Sequence, residues 1–212
     1  MADKQVRFGE WVSAAFDLYK QNFGILVLAS LVALLLSAVS FGILAGPMMA
    51  GLALITLGIV DKKEQKRVGE LFDGFNYFLQ SFLFVLVWGA IMLVAGLVLN
   101  MIAGIASLVL GTFLMFAIYL IVDRGLPFWP ASVESMKTVK ADFWPLLGYY
   151  VVATILGSVG SVVCGIGVFL TFPIGCLMYT IAYREYFPAG TAEVPPAVAP
   201  PAPENPDAPA AG

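Results

Sequence analysis

The side chains best suited by type to acid–base chemistry are four aspartates close to the ends of long uncharged stretches: Asp61, Asp73, Asp123 and Asp142. No two of them have a spacing typical of a catalytic carboxylate pair, so an enzyme that uses them is the least favoured of three hypotheses about function. The sequence contains no histidine, which excludes histidine-based acid–base catalysis and histidine ligation of a metal. We therefore predict no catalytic residue, no cofactor and no metal site.

Broken helices are a second feature that could do chemistry, because unwound backbone inside a membrane can coordinate an ion. Gly46-Pro47 and Pro173 could supply such breaks. We interpret the first as part of a turn and the second as a kink. The two cysteines, Cys164 and Cys176, are too few for a disulfide framework and match no metal-binding spacing.

Three stretches without a charged residue make up most of the chain, at residues 24–60, 81–122 and 143–183. The chain is 60% hydrophobic and 12% charged, with a mean hydropathy of +0.92, whereas soluble domains are about 45–50% apolar and about 25% charged. Each stretch is about twice the ~20 residues that a helix needs to cross a bilayer. Each therefore predicts a helical hairpin, and lipid is the expected solvent.

A shorter segment of mixed charged and aromatic residues precedes each hairpin, at residues 3–23, 68–80 and 127–142. Apolar residues recur there every three or four positions, which predicts amphipathic helices in the headgroup region. The predicted fold is an all-α integral membrane protein with six transmembrane helices in three hairpins, each preceded by an amphipathic interfacial helix. The predicted interfacial anchors are aromatic residues: Phe8, Trp11, Phe16, Tyr19, Phe72, Phe75, Trp129, Phe143, Trp144 and Tyr183.

The order of amphipathic helix, hairpin and charged loop recurs with a period of about 60 residues. It divides a helical membrane domain, residues 1–187, into approximate repeats at 8–60, 68–122 and 128–187. Residues 188–212 differ, since they hold eight of the thirteen prolines, three acidic residues and no basic residue. Such a Pro/Ala-rich segment cannot bury enough apolar surface to fold, so we predict a disordered acidic tail.

All eleven basic residues lie outside the three uncharged stretches, and none lies in a predicted hairpin turn. Lys and Arg collect in cytoplasmic loops, so both termini and the amphipathic helices are predicted to face the cytoplasm. Six crossings are consistent with that arrangement. The alternative is three re-entrant hairpins that dip into the membrane and return on the same side. Arms of about 18 to 21 residues are long enough to cross, which favours full spans.

Small residues at four-residue spacing recur in the apolar stretches, where they let helices approach closely in lipid. The predicted helix-packing positions are Gly42, Gly46, Ser107, Gly111, Gly157, Ser161 and Gly165. Packing within one chain is the first interpretation of these positions, and self-association is the alternative. We expect Gly157→Leu to disrupt folding or assembly.

The third repeat carries the most distinctive motif: Pro127-Phe128-Trp129-Pro130-Ala131-Ser132, Ser135-Met136-Lys137 and Asp142-Phe143-Trp144-Pro145-Leu146-Leu147. With a looser copy at residues 9–26, it resembles uncharacterised bacterial multi-pass membrane protein families similar to the membrane domain of glycerophosphoryl diester phosphodiesterases. The resemblance covers most of residues 8–187 and implies a helical protein of the bacterial inner (cytoplasmic) membrane. It carries over no activity and no catalytic residue, because we expect no soluble phosphodiesterase domain in this chain.

The leading functional hypothesis is a non-enzymatic inner-membrane scaffold, a lipid-organising protein or a membrane partner subunit. Its expected partners are membrane lipids, with a homo-oligomer or another membrane protein as further candidates, and nucleic acid is not expected. The main alternative is a small permease or channel-like protein for an apolar or amphiphilic solute. A polar path or a cavity between the hairpins would favour the permease, whereas a tightly packed interior would favour the scaffold.

Overall fold

The computed structural model describes residues 7–62, 67–99, 103–162 and 167–190, and every regular element within them is helical, as predicted. Residues 191–212 of the predicted tail, together with Cys164 and Gly165, lie outside the described residues. The elements are α1 (Phe8–Gln21), α2 (Phe23–Val39), α3 (Ala45–Val60), a 3₁₀ helix (Val68–Tyr77), α4 (Phe78–Leu99), α5 (Ala103–Leu114), α6 (Ala117–Arg124), α7 (Phe128–Ala141), α8 (Phe143–Val162) and α9 (Val168–Tyr186).

The first leading helix, α1, meets α2 at an angle of 90°. Asn22 lies at the corner, where its side-chain amide donates to the Leu18 carbonyl at 3.0 Å and helps to end α1. Trp11 and Ala15 on one face of α1 are buried, while Glu10 and Lys20 are exposed. The buried face of α1 packs against α9, which is the alternative interpretation of such a segment, and contact of α1 with a headgroup region stays a prediction.

The second leading segment forms a 3₁₀ helix, whereas an α-helical period was predicted for it. A 3₁₀ helix has three residues per turn, so residues three apart are eclipsed. Phe72, Phe75 and Phe78 have this spacing, and their neighbouring rings stack at 6.3 Å. The 3₁₀ helix also crosses α3 at backbone contact: a Cβ on Gly51 would overlap the Leu71 carbonyl group. Aromatic stacking and this close crossing together favour the tighter helix.

Helix α3 is the centre of the packing, with twelve of its sixteen residues buried. It contacts α2, α4, α6, α9 and the 3₁₀ helix. Helix α4 differs, because only 11% of the apolar window in Val68–Leu97 is buried within the protein. A helix that is apolar on all sides and mostly unburied requires lipid or another protein around it.

Within the described residues, three helical segments are long and apolar enough to cross a membrane: Val68–Leu97 (the 3₁₀ helix with α4), Gly104–Arg124 (α5 with α6) and Phe143–Gly160 in α8. The bent pair of α1 and α2 makes a fourth if it is counted as one span. Helix α3 has sixteen residues, and α9 contains Pro173 and ends in charged residues. Length and composition of the described helices therefore support three or four crossings, and six crossings stay a prediction.

The first hairpin turns within the predicted segment of residues 41–47, but Gly46 and Pro47 are not part of the turn. The turn lies at Phe41 and Gly42, which have φ angles of 52° and 85°. Helix α3 begins at Ala45, so Gly46 and Pro47 belong to its first turn. Proline is tolerated there because the first backbone N–H groups of a helix have no partner within the helix.

The return arm of the second hairpin is broken between α5 and α6, at Met115-Phe116. Ser135 of α7 lies against this break. Its hydroxyl donates to the Phe113 carbonyl at 2.7 Å and accepts the Phe116 N–H at 3.3 Å. The Ser135 side chain thus replaces helix hydrogen bonds that the break removes. This lowers the free-energy cost of interrupting a helix in an apolar environment.

Candidate functional site

The C-terminal ends of α3, α6 and α9 converge on one guanidinium. Arg184 Nε and Nη2 donate to the two oxygens of Asp61 at 2.7 and 2.8 Å. Arg184 Nη1 and Nη2 donate to the two oxygens of Asp123 at 2.7 and 2.8 Å. Nη1 also donates to the Phe187 carbonyl at 3.4 Å, so the group finds an acceptor for all five of its N–H bonds. We call Asp61, Asp123 and Arg184 the ionic cap.

The ionic cap is largely withdrawn from solvent. The side chains of Arg184 and Asp61 are 10% and 8% exposed, and that of Asp123 is 22% exposed. Tyr183 donates its hydroxyl to Asp123 Oδ2 at 2.8 Å. Because the C-terminal end of a helix carries a partial negative charge, three such ends and two carboxylates create a site that favours a cation. The guanidinium therefore ties the three return helices together.

A polar cavity of about 540 Å³ lies beside the ionic cap. The 3₁₀ helix contributes Glu70, Asp73, Asn76 and Tyr77 to its wall, and Asp123 and Arg184 complete its polar lining. The described residues contain no group of three or more Cys, Asp or Glu side chains arranged to hold a metal ion. The cavity can accept a small polar solute, and it offers more carboxylates than cations.

A layer of hydroxyl groups lies about one helical turn below the ionic cap. Thr180 Oγ1 donates to Thr56 Oγ1 at 2.8 Å, which joins α9 to α3. Tyr119 donates its hydroxyl to the Cys176 carbonyl at 3.1 Å, which joins α6 to α9. All three hydroxyl-bearing side chains are buried, and this hydroxyl layer separates the polar cavity from the apolar interior.

An apolar cavity of about 400 Å³ lies on the other side of the hydroxyl layer. Its lining residues come from α3 to α6, from α8 and from α9, and none of them is charged: Met49, Leu52, Ala53, Phe84, Gly111, Leu114, Met115, Ile118, Tyr119, Tyr150, Ala153, Thr154, Gly157, Ser158, Val168, Phe172, Gly175, Cys176 and Tyr179. Met49 is 40% exposed and Ser158 is exposed, so the cavity reaches the surface beside these residues, which we call its rim. On α9 the lining runs from Val168 to Tyr179, a rise of about 16 Å.

One polar group interrupts the apolar wall. Thr154 Oγ1 and Tyr179 Oη are 2.9 Å apart and share a hydrogen bond in which either can donate. The ring of Tyr150 stacks on that of Tyr179 with centroids 5.6 Å apart. One hydroxyl hydrogen joins the two oxygens, and the hydroxyl of Tyr150 is a further hydrogen-bonding neighbour of Thr154. Three hydroxyl groups that share two hydrogen bonds keep one hydrogen and several lone pairs for a further partner. We call Thr154 and Tyr179 the hydroxyl pair.

The predicted interfacial anchors have different surroundings. Five are exposed: Phe8, Phe72, Phe75, Trp129 and Trp144. Three are half-buried: Phe16, Tyr19 and Phe143. Trp11 and Tyr183 are buried against other parts of the protein. Trp11 packs edge-on against Tyr149 at 5.2 Å, and Tyr183 stacks on Phe187 at 5.0 Å. The rings of Trp11 and Tyr183 therefore pack inside the protein.

Some of the predicted helix-packing positions lie in close contacts between helices, and others do not. A Cβ on Gly46 would overlap the Ser81 backbone, a Cβ on Gly111 would overlap the Tyr150 hydroxyl, and Gly157 faces Gly175. Gly42 lies in the α2–α3 turn with no atom within 4 Å of a Cβ position. Ser107 is exposed and bonds to the Gly104 carbonyl of its own helix. The side chain of Ser161, and Gly165, lie outside the described residues.

Sequence reasoning did not predict the ionic cap, although one signal was present. Asp123 follows Asp61 by 62 positions, and Arg184 follows Asp123 by 61 positions. Each residue thus stands at the end of the return arm of one proposed repeat. Charges of opposite sign at equivalent positions of three repeats indicate that the ends of the return arms meet. The hydroxyl pair had no such signal, because Thr154 and Tyr179 lie 25 positions apart within apolar sequence.

Comparisons of the chain with protein families, with curated proteins and with solved structures found no match.

Proposed function

We propose that this chain is a non-enzymatic, multi-pass protein of the bacterial inner membrane that organises lipid by holding an apolar or amphiphilic molecule between its hairpins. Its three hairpins cross the membrane six times, with both termini and the ionic cap on the cytoplasmic side. The exposed aromatic residues of the leading helices contact the headgroup region of that leaflet. The proposed location in the inner membrane rests on the three uncharged stretches and on the family resemblance of the third repeat.

The single observation that carries the binding role is the apolar cavity. A volume of about 400 Å³ falls in the range of small-molecule sites. Its lining draws on α3, α4, α8, α9 and the broken arm of α5 and α6, so all three hairpins contribute to it. The cavity reaches the surface beside Met49 and Ser158, so a molecule from outside the protein can enter it.

A permease for an apolar solute is the second candidate. A cavity between the hairpins is the feature expected to favour a permease, so the apolar cavity supports this role as well as a lipid-holding one. The break at Met115-Phe116 supports the permease further. Discontinuous helices mark the binding sites of many transporters, and Leu114 and Met115 at this break line the cavity. In this version the solute enters at the rim near Met49. Release toward the cytoplasm would require the hydroxyl layer and the ionic cap to open.

Acid–base catalysis by Asp61 or Asp123 has less support than either binding role. Both carboxylates accept two hydrogen bonds from Arg184. Each is therefore held as the anionic partner of a guanidinium and is poorly placed to accept a proton from a substrate.

The proposed binding role is tested by lipid analysis of the purified protein. The full chain is extracted in a mild detergent, and molecules that remain bound are identified by mass spectrometry. We expect a defined amphiphile in near-stoichiometric amount, lost in the variants Met49→Trp and Ser158→Trp, which fill the rim of the cavity. A bound molecule that stays unchanged in both variants would refute the cavity as its site.

Leu35→Trp is the matched control for these variants. Leu35 is 50% exposed on α2 and does not line the cavity. Leu35→Trp adds about the bulk that Met49→Trp adds, but to an apolar surface outside the cavity, so we expect the amount of bound molecule and the melting temperature to stay at the wild-type values.

A further inference from the structure

The charges near the apolar cavity limit what it can bind. The cavity lining contains no Asp, Glu, Lys or Arg side chain. Arg184, the guanidinium of the ionic cap, lies about two helical turns along α9 from Cys176 in the lining, and its N–H groups are taken by Asp61, Asp123 and the Phe187 carbonyl. Moving a phosphate or carboxylate into the cavity would therefore bury a charge without a partner, which is strongly unfavourable.

The hydroxyl pair supplies the complementary requirement. A purely hydrocarbon ligand would leave the spare hydrogen and lone pairs of Thr154 and Tyr179 facing an apolar surface. The two hydroxyls already bond to each other. A hydroxyl or carbonyl oxygen of a ligand would add a hydrogen bond to the pair, which a hydrocarbon cannot form. The stacked rings of Tyr150 and Tyr179 fix the direction of that contact.

From the uncharged lining and the hydroxyl pair, we infer that the cavity is selective for an uncharged lipid with a hydroxyl or carbonyl head. This inference rests on the proposed binding role. The head oxygen bonds to the hydroxyl pair. The chain lies along the apolar wall formed by Leu52, Leu114 and Phe172 and leaves at the rim near Met49 and Ser158. Phospholipids and fatty acids, whose heads are charged, contact the outside of the protein and are excluded from the cavity.

Two photoreactive probes of equal chain length test this selectivity. Hexadecanol and hexadecanoate that carry a diazirine at the same carbon are each irradiated with the full-length protein in vesicles of zwitterionic lipid at pH 8. We expect the alcohol to label peptides of α8 and α9 at least about fivefold more than the acid. In Thr154→Val and Tyr179→Phe, we expect labelling by the alcohol to fall about 2- to 10-fold, the loss expected from one hydrogen bond.

Thr112→Val is the matched control for the hydroxyl pair. Thr112 is buried, bonds to the Leu108 carbonyl of its own helix at 2.7 Å and does not line the cavity. We expect its labelling to equal that of the wild type. Equal labelling by the acid and the alcohol, or unchanged labelling in both hydroxyl-pair variants, would overturn the selectivity and leave the proposed binding role standing. Labelling of α8 and α9 by neither probe, with no lipid retained on purification, would overturn both.

Discussion

Arg184, near the end of α9, and Asp61, at the end of α3, form a two-pronged ion pair at 2.7 and 2.8 Å although 123 positions separate them. The second face of the same guanidinium holds Asp123 of α6. Each of these three residues lies near the C-terminal end of the second arm of one hairpin. The Arg184 side chain therefore holds the ends of the three hairpins together. The hydroxyl layer and the apolar cavity lie further from these helix ends than the ionic cap does.

Removing the guanidinium should therefore loosen the contact between all three hairpins. We predict that Arg184→Ala lowers the free energy of unfolding by about 3–5 kcal/mol, because Asp61 and Asp123 are left facing each other at three helix ends. Arg184→Lys should fall between this variant and the wild type, since an ammonium cannot form two planar pairs. The measurement is thermal or denaturant unfolding in detergent.

Arg7→Ala provides the control for this series. Arg7 pairs with Glu10 at 2.8 Å, but the two side chains are 58% and 68% exposed. An exposed pair contributes about 0–1 kcal/mol, so we expect little change. If the two alanine variants were equally stable, the ionic cap would have no part in holding the hairpins together.

The crossing of the 3₁₀ helix over α3 makes a second prediction. A Cβ on Gly74 would overlap the Pro47 carbonyl oxygen, and one on Gly51 would overlap the Leu71 carbonyl. Backbone cannot move aside as a flexible side chain can, so Gly51→Ala and Gly74→Ala should each destabilise the protein by about 1–3 kcal/mol. Unfolding in detergent measures the loss.

Gly89→Ala in α4 is the opposite case. No atom lies within 4 Å of a Cβ at Gly89, and alanine is favoured over glycine in a helix by about 1 kcal/mol. We expect this variant to be as stable as the wild type or slightly more stable. Destabilisation of the same size at Gly89 and Gly51 would mean that backbone contact is not what requires glycine at the crossing.

The contact of α8 with α9 gives a graded prediction. A Cβ on Gly157 would lie 3.5 Å from Gly175 Cα, an ordinary contact, whereas a Cβ on Gly160 would overlap the Gly167 carbonyl. Gly157→Ala should therefore be tolerated, while Gly157→Leu and Gly160→Ala should each lower stability. Gel filtration in detergent and melting curves measure the effects. A loss at Gly157→Ala as large as that at Gly160→Ala would contradict this order.

The long apolar helices could be predicted from the sequence because they depend on local composition. A long run without charge can be hidden only by lipid or protein, and charged segments mark its ends. The break at Met115-Phe116 depends instead on Ser135, which reaches it from another helix. No glycine or proline marks the break, so no local pattern could have predicted it.

The candidate site was less predictable than the fold for a related reason. Amphipathic spacing places Trp11 on an apolar face, and the position of Tyr183 beside Arg184 is typical of an interfacial anchor. Neither pattern tells whether lipid or protein covers the side chain. Both are buried in protein. Likewise, Thr154 and Tyr179 come into contact only when α8 and α9 pack together. No spacing in the sequence predicts this contact.

The proposed topology is tested by labelling single cysteines from each side of the membrane. Phe41 in the α2–α3 turn is 98% exposed and Lys62 after α3 is exposed, so both are accessible positions. After replacement of Cys164 and Cys176, we predict that a membrane-impermeant maleimide added to intact spheroplasts labels Phe41→Cys and not Lys62→Cys. In inside-out vesicles the pattern should reverse. Six crossings require opposite sidedness, because a re-entrant first hairpin would leave both cysteines reactive from the cytoplasmic side alone.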